Sequence, residues 1–303
     1  MSISSVSEVK LSAEVVTLQD DIGKMYDVAS GFWEDILGEH IHQGYYDPDA
    51  PTDNVREAQN RMIDECLKFA GLSADPTKFP KNVVDVGCGI GGSSRYLAKK
   101  YGSKCVGITL SPYQVQRATD LAAAQGLSDN VSFQVANALN MPFPDDHFDL
   151  VWSIDVGEHM PEREKFVSEL VRVAKPGAPI IIAAWCCRDL APSEKSLRPW
   201  EKEHLDKIKK VYYLAEWCSV SDWAKLVKPH NVYDIKSDNW ARYVLPFWPQ
   251  AIRSAVFSWN GFKLMILSCG MTLFLGVRGM KWMDEGLKKD VVTFGIVTCR
   301  KAK

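Results

Sequence analysis

The chain has 303 residues, 46% of them hydrophobic and 24% charged, which is typical of a globular protein with one large domain or two small ones. A formal net charge of −2 gives no reason to expect nucleic acid as a partner. The eight cysteines include no C-x-x-C pair, so we expect reduced thiols rather than disulfides or a zinc site. The first residues resemble neither a secretory signal nor a transit peptide, and no stretch reaches the roughly 18 apolar residues of a membrane-spanning helix.

Strand and helix patterns alternate along the middle of the chain, from residue 82 to about residue 185. Short β-branched apolar stretches are followed by amphipathic stretches, one of which begins with the Ser-Pro pair that often opens a helix. Strands separated by helices of this length form a parallel, doubly wound α/β sheet of the Rossmann type. The predicted strands are 83–86, 104–109, 131–136, 148–154 and 179–185, and the predicted helices are 91–101, 111–126 and 161–175.

The flanking segments predict helical additions to this sheet and one more strand pair. Residues 231–240 have strand character, and residues 290–301 are a final strand that we expect to run antiparallel. We interpret the apolar stretch 264–277 as a packed core helix, with a helix that touches a membrane as the alternative. The predicted segments are a helical cap (1–75), a ligand-binding core (76–188), an inserted helical lid (189–245) and C-terminal helices with the last strand (246–303).

Residues 83–94, VVDVGCGIGGSS, predict a strand that turns sharply into a helix with little side-chain bulk. The glycines fit both the dinucleotide pattern G-x-G-x-x-G and the pattern acid-x-G-x-G-x-G, which begins at Asp85 and continues through Gly87, Gly89 and Gly91. A pyrophosphate requires the helix N-terminus without a nearby anion, and Asp85 would repel it. The aspartate instead suits a ligand with a cationic end, such as the ammonium and sulfonium of S-adenosylmethionine.

Two further loops at the carboxyl edge of the sheet carry side chains that suit a nucleoside. Thr109 stands where a dinucleotide enzyme places an acid for the ribose, but its hydroxyl and the amide of Gln114 can still hold a ribose diol. Asn137 is placed for the adenine amino group and the backbone N–H of Ala138 for a ring nitrogen. The complete set of expected cofactor contacts is Asp85, Gly87, Cys88, Gly89, Gly91, Thr109, Leu110, Gln114, Asn137, Ala138 and Ser153.

The motifs DVGCGIGG, GITLSP, ALNMPFPDDHFDLVWS, GEHMP and LVRVAKPGAPIII follow one another in an order and at spacings that resemble the Class I S-adenosylmethionine-dependent methyltransferases. Within that class the chain resembles the plant γ-tocopherol C-methyltransferase group. SGFWEDILGEHIHQGYYDPD near the start and LPFWPQAIRS and EGLKKDVVTFGIVTCRK near the end extend the resemblance over nearly the whole chain. The resemblance implies a Class I methyltransferase fold and S-adenosylmethionine as cofactor, with S-adenosylhomocysteine as product.

The chain departs from the tocopherol pattern in three respects. Asn137 stands where the family usually has aspartate, and SIDVGEHM stands where the tocopherol enzymes have a glutamate-serine-glycine arrangement. We also expect no chloroplast transit peptide, which the tocopherol enzymes carry. These departures favour the cytosolic offshoot of the family that N-methylates monoterpene indole alkaloids, the picrinine, perivine and ajmaline type. Methylation of a chromanol ring carbon is the alternative. The expected location is the cytoplasm, with peripheral contact to an intracellular membrane such as the vacuolar one left open.

Three titratable residues follow the fourth strand, where the resemblance places the transferred methyl group. We expect His159 or Glu158 to accept a proton or to orient the acceptor, because a base near the methyl group assists both amine and phenol methylation. Asp155 is expected to hold a cationic substrate. An acid-histidine pair at this position also fits a purely structural role, so both interpretations stay open.

Aromatic residues of the cap and of the later helices suit a bulky polycyclic substrate. His40 and His42 are close in sequence, but no third ligand accompanies them, so we expect no metal. The expected partner is therefore a small molecule, with a homodimer left open. The candidate substrate contacts are Tyr26, Trp33, His42, Tyr45, Tyr46, Phe247, Trp248 and Trp259.

Two other functional classes compete with a methyltransferase. A nicotinamide oxidoreductase is disfavoured by Asp85 before the glycines and by Thr109 in place of the ribose acid. A non-catalytic nucleoside-binding module is disfavoured by the intact glycine turn.

Overall fold

The computed structural model describes residues 13–257 and 271–303, and its centre is a seven-stranded sheet. The strand order is β3-β2-β1-β4-β5-β7-β6, and both pairings of β7 are antiparallel whereas the other four are parallel. The predicted doubly wound sheet with an antiparallel last strand is confirmed. The strands are β1 (Asn82–Val86), β2 (Lys104–Thr109), β3 (Val131–Val135), β4 (Leu150–Ile154), β5 (Pro179–Cys187), β6 (Val232–Asn239) and β7 (Val292–Lys301).

Helices cover both faces of the sheet, and a short 3-10 turn at Gly157–His159 follows β4. Alternate residues of one strand contact opposite layers: Val83 belongs to one apolar cluster and Val84 to the other, and Ile181 and Ile180 divide in the same way. The described helices are α1 (Ala13–Leu37), α2 (Val55–Phe69), α3 (Gly92–Tyr101), α4 (Pro112–Ala124), α5 (Arg163–Val173), α6 (Pro199–Tyr212), α7 (Val220–Val227), α8 (Ala241–Val244), α9 (Phe247–Phe257) and α10 (Met271–Lys288).

Local capping chemistry explains where the helices next to the site begin. The Ser111 side chain accepts a hydrogen bond from the backbone N–H of Gln114, and Pro112 occupies the first turn of α4, as the Ser-Pro pair predicts. Helix α3 begins after Gly91, whose φ of 76° lies in the left-handed region. Both helices therefore start directly behind the carboxyl ends of β1 and β2.

The inserted segment 189–245 contributes to the sheet as well as to the helical layers. Its helices α6 and α7 were expected, and β6 within it pairs with β7 as the edge strand of the sheet. Residues 264–270 of the apolar stretch 264–277, like Trp259, lie outside the described residues, and residues 271–277 belong to α10. In the described ranges, no helix combines the length and the apolar character needed to cross a membrane.

Candidate active site

A deep cavity opens at the carboxyl edge of the sheet beneath α1, with an empty volume of about 1360 Å³ including its mouth. The loops after β1, β2, β3 and β4 form its floor, which is the edge where doubly wound sheets bind ligands. Helix α1 and residues 40–43 cover one side, and Trp185, Tyr212, Phe247 and Trp248 form an aromatic wall. One cavity thus joins the predicted cofactor loops to the predicted catalytic residues.

The glycine turn after β1 brings the backbone close to its neighbours. Gly87 and Gly89 have φ values of 78° and 54°, in the region that favours glycine. A Cβ atom on Gly87 would lie 2.1 Å from Cγ2 of Val156, and one on Gly89 would lie 2.8 Å from Cδ1 of Ile41. At Gly87 an added Cβ would clash with Val156, and at Gly89 the end of the Ile41 side chain would have to shift, so both the positive φ and the packing favour glycine in this turn.

Asp85 places a carboxylate in the floor of the cavity next to this turn. Its Oδ2 accepts a hydrogen bond of 2.6 Å from the Ser94 hydroxyl at the start of α3. Burial raises the Asp85 pKa to about 6, although the Ser94 hydrogen bonds and the Arg95 guanidinium oppose this effect. The site thus offers a negative group where the cationic end of an amino acid would be stabilised.

The two side chains predicted to bind the ribose, Thr109 and Gln114, are hydrogen-bonded to each other and to α1. The Thr109 hydroxyl donates to Oε1 of Gln114 at 2.6 Å, and Nε2 of Gln114 donates to the Ser30 hydroxyl at 2.9 Å. Cys88, Leu110, Asn137 and Ala138 also line the cavity, as expected from the sequence.

Four of the predicted contact residues lie outside the cavity lining. Gly91 faces Phe133, whose Cζ would be 2.4 Å from an added Cβ, and Ser153 is buried within β4. The Tyr45 ring stacks on Tyr243 at 4.2 Å, and Tyr46 is likewise buried away from the cavity. Each of these four residues is packed against other parts of the protein, and the local sequence does not specify that packing.

Asp155 is held in an unusual backbone conformation directly after β4. Its φ of 55° is uncommon for a residue with a side chain. Its N–H donates to the Ala183 carbonyl at 2.8 Å, and its Oδ2 accepts from the N–H of Gln43 at 2.8 Å. These two bonds point the carboxylate into the cavity, where Oδ1 has no hydrogen-bond partner.

Glu158 is the second buried carboxyl group of the cavity, and its Oε2 also lacks a partner. Burial raises the Asp155 pKa to about 7, and the Gln43 N–H bond and the nearby Trp185 indole only partly oppose this effect. Burial and the neighbouring charge of Asp155 raise the pKa of Glu158 well above its ordinary value. Both shifts favour the protonated carboxyl groups, and the Asp155 pKa of about 7 lets that group exchange a proton near neutral pH.

His159 is neutral, and both of its ring nitrogens are engaged. Nδ1 lies 3.2 Å from the Tyr213 carbonyl oxygen, which can only accept, so Nδ1 carries the hydrogen. Nε2 is 3.0 Å from the Tyr26 hydroxyl and accepts its hydrogen bond. Burial lowers the His159 pKa to about 4. The imidazole therefore fixes Tyr26 of α1 above the cavity.

Sequence reasoning did not identify Gln43, Trp185 and Tyr212 as site residues. Trp185 lies on β5, and the length of that strand was the only sequence signal that could have placed its side chain near the carboxyl edge. The predicted Trp33, His42, Phe247 and Trp248 do line the cavity. Among the cavity-lining residues there are three carboxyl groups, those of Asp85, Asp155 and Glu158, but no lysine or arginine.

The imidazole rings of His40 and His42 lie 5.0 Å apart, and both pKa values are lowered, mainly by burial. Nδ1 of His42 lies 2.8 Å from the Gln43 carbonyl oxygen. Within residues 13–257 and 271–303, no group of three or more His, Cys, Asp and Glu side chains is arranged to hold a metal ion.

Comparison with known proteins agrees with this geometry. Residues 84–182 match the family model described as a methyltransferase domain. Tocopherol O-methyltransferase, chloroplastic, of Arabidopsis thaliana is 53% identical over 94% of this chain and 82% of its own length. Ajmaline N-methyltransferase of Rauvolfia serpentina is 44% identical over 94% of this chain and 98% of its own length.

Solved structures share the fold. Geranyl diphosphate C-methyltransferase from Streptomyces coelicolor A3(2), solved with Mg²⁺, geranyl diphosphate and S-adenosyl-L-homocysteine, has a TM-score of 0.72 at 17% identity, covering 94% of this chain and 98% of that one. The protein is an S-adenosylmethionine-dependent methyltransferase, and its identity to the plant enzymes over almost the entire chain shows that it belongs to the family of the tocopherol and ajmaline methyltransferases.

Proposed function

We propose that this enzyme transfers a methyl group from S-adenosylmethionine to a nitrogen atom of a monoterpene indole alkaloid. The observation that carries this proposal concerns the carboxyl groups of Asp155 and Glu158. Oδ1 of Asp155 and Oε2 of Glu158 lack hydrogen-bond partners, and no lysine or arginine is among the residues that line the cavity. A buried carboxylate without a counter-ion is costly, and a ligand that brings an ammonium group removes that cost.

The floor of the cavity fits the methyl donor. We place its methionine end at the Gly87–Gly89 turn and Asp85, its ribose at Thr109 and Gln114, and its adenine at Asn137 and Ala138. When bound there, the cofactor supplies an electrophilic methyl group on a cationic sulfur. The chain itself has to align the nucleophile with that methyl group and exclude water, and such alignment can contribute roughly 7–11 kcal/mol to lowering the barrier.

The aromatic wall fits the apolar rings of an alkaloid. Trp185 lies edge-to-face against Tyr212 and Trp248, with ring centroids 5.3 and 5.6 Å apart. Tyr26 of the proposed cap 1–75 and Tyr212 of the proposed lid 189–245 both line the cavity. Aromatic faces around a cationic amine add cation–π attraction to apolar burial.

We assign proton transfer to the carboxyl pair rather than to His159. Methylation forms a nitrogen–carbon bond as the carbon–sulfur bond breaks, and the amine must lose its proton to attack. The free Oδ1 of Asp155 can accept that proton, whereas Nε2 of His159 already accepts from Tyr26. His159 then acts as a positioning residue through Tyr26, and Glu158 is the neighbouring carboxyl group whose charge is coupled to that of Asp155.

Methylation of a chromanol ring carbon is the second candidate, favoured by the higher identity to the tocopherol enzyme, 53% against 44% for the ajmaline enzyme. That substrate is a neutral phenol, which gives the unpaired carboxyl groups no cation to bind.

Product analysis with purified enzyme separates the two candidates. The enzyme is incubated with labelled methyl donor and either a panel of indole alkaloids with secondary or tertiary amines or γ-tocopherol. We expect labelled N-methyl alkaloid, and Asp155→Asn should remove most of that turnover while the affinity for S-adenosylhomocysteine stays within a few-fold. Labelling of γ-tocopherol without any alkaloid product would overturn the proposal.

We further propose a cytoplasmic location, although the tocopherol relatives are chloroplastic. The cysteines of the described residues are free and buried, which fits a reducing compartment. Imaging of cells that express the full chain fused at its C-terminus to a fluorescent protein tests the location. An extract of the same cells is then analysed by gel filtration, which tests for a homodimer, and by flotation, which tests for membrane contact. Fluorescence confined to plastids would contradict a cytoplasmic enzyme.

A further inference from the structure

The side-chain oxygen of Asn137 has no free capacity to bind adenine. Oδ1 accepts a hydrogen bond of 2.9 Å from the backbone N–H of Leu139 and a second of 3.1 Å from Nε2 of Gln19. Nδ2 of Asn137 donates back to Oε1 of Gln19 at 3.0 Å, so the two amides form a reciprocal pair. A carbonyl oxygen has two lone pairs, and both are occupied here.

An adenine amino group can reach this oxygen only if one of the two donors gives way. Leu139 belongs to the same tight turn as Asn137, two residues further along the chain. Gln19 lies on α1, 118 residues away in sequence, and holds Asn137 only through a part-buried side chain rather than through the backbone. The bond from Gln19 is therefore the one that an incoming N–H donor would replace.

Helix α1 does not depend on Gln19 for its position over the cavity. Its next turns bind the loop after β2 and helix α4 through Asp27 with Ser111, Ser30 with Gln114, and Glu34 with Arg117. Tyr26 adds the hydrogen bond to His159. The amide of Gln19 can leave Asn137 while these contacts keep the helix in place.

We infer that Gln19 sets the affinity for the cofactor, because its amide occupies the acceptor that the adenine amino group needs. The inference rests on the proposed placement of adenine at Asn137. In the free enzyme, Nε2 of Gln19 donates the hydrogen bond that the adenine amino group would donate in the complex. Cofactor binding therefore exchanges one N–H donor for another at Oδ1 of Asn137. The cofactor therefore has to displace a protein donor rather than water.

Removal of this competitor should strengthen binding. Gln19→Ala should lower the Kd for S-adenosylhomocysteine about two- to tenfold, the range that corresponds to the net free energy of one neutral hydrogen bond. Gln19→Glu should act in the same direction, because a carboxylate cannot donate to Oδ1 while it keeps the helical length of the side chain. If Gln19 merely supported the fold of the site, both variants would bind more weakly.

Isothermal titration calorimetry on the full chain tests the inference. Two ligands are compared: S-adenosylhomocysteine, and S-inosylhomocysteine, which has an oxo group in place of the adenine amino group. Each is titrated into wild type, Gln19→Ala and Gln19→Glu. The control variant is Asp20→Ala, at an exposed neighbouring position on α1. We expect the gain in affinity for the adenosyl ligand to exceed that for the inosyl ligand, and Asp20→Ala to match wild type. An unchanged or raised Kd for the adenosyl ligand in both Gln19 variants overturns the inference.

Asn137→Ala separates this inference from the placement beneath it. It is introduced into Gln19→Ala, where no protein donor competes for Oδ1, and a clear loss of affinity for S-adenosylhomocysteine relative to Gln19→Ala alone supports the adenine placement. If the added Asn137→Ala leaves the affinity of Gln19→Ala unchanged, the placement is wrong, and the inference about Gln19 is overturned with it.

Discussion

Replacement of Gly87 by alanine tests the geometry of the cofactor turn most directly. The new Cβ would lie 2.1 Å from Cγ2 and 3.0 Å from Cγ1 of Val156, a buried β-branched side chain that follows β4. The φ of 78° adds a backbone penalty of about 1–2 kcal/mol for a residue with a Cβ. Overpacking of a tight site costs a further 1–3 kcal/mol or so, and the sum predicts a destabilisation of roughly 2–5 kcal/mol.

Gly102→Ala is a matched control for this substitution. Gly102 also has a positive φ, of 65°, but an added Cβ meets nothing within 4 Å, so only the backbone penalty applies. Urea denaturation of both variants isolates the steric contribution of Val156, and Val156→Ala should restore part of the stability of Gly87→Ala. Titration with S-adenosylhomocysteine should show lost affinity for Gly87→Ala alone. If the two glycine variants lost equal stability and bound the ligand equally well, the described turn would be incorrect.

Three further predictions concern the titratable residues of the cavity. Because the Asp155 pKa is raised to about 7, turnover should fall as the pH drops below about 7. This acid limb of the pH–rate profile should disappear from the residual activity of Asp155→Asn. An unchanged acid limb in that variant would exclude Asp155 as the proton acceptor. Tyr26→Phe and His159→Ala should reduce kcat/KM by similar factors, with little extra loss in the double variant, because each removes the same hydrogen bond; additive losses would show independent roles. The Asp85 pKa is raised from 3.8 to about 6, so the folded state binds more protons between these pH values and its stability declines as the pH rises through them. Asp85→Asn should therefore stabilise the free enzyme by up to about 3 kcal/mol at pH 7, which calorimetric unfolding measures. The same variant should bind the cofactor more weakly, which ligand titration measures. A variant less stable than wild type would contradict the unfavourable free energy assigned to the buried Asp85 charge.

The alternation of strands and helices could be read from the sequence because it depends on interactions within a few residues. The Ser111-Pro112 start of α4 and the glycine turn after β1 act through local backbone geometry, and the structure has both where the pattern placed them. The direction of the last strand also followed from the pattern, and β7 pairs antiparallel with β5 and β6. Even most of the predicted cofactor loops could be assigned, because the carboxyl ends of parallel strands share one edge.

The partners of the site residues could not be assigned in this way, since they depend on packing between distant parts of the chain. Tyr26 and His159 are separated by 133 residues and Gln19 and Asn137 by 118, and each pair meets only because α1 packs across the finished sheet edge. Because the Tyr26 hydroxyl occupies Nε2 of His159, that nitrogen has no free lone pair, and the proposed mechanism assigns the proton to the carboxyl pair instead.

The sequence alone thus determined the sheet, the glycine turn and the edge at which the cavity opens, because periodicity and backbone conformation are properties of short segments. Only the tertiary structure decided which of the polar groups at that edge keep a free lone pair. Burial and hydrogen bonding to other segments set both the charge and the availability of each group, and neither is encoded in its immediate neighbours.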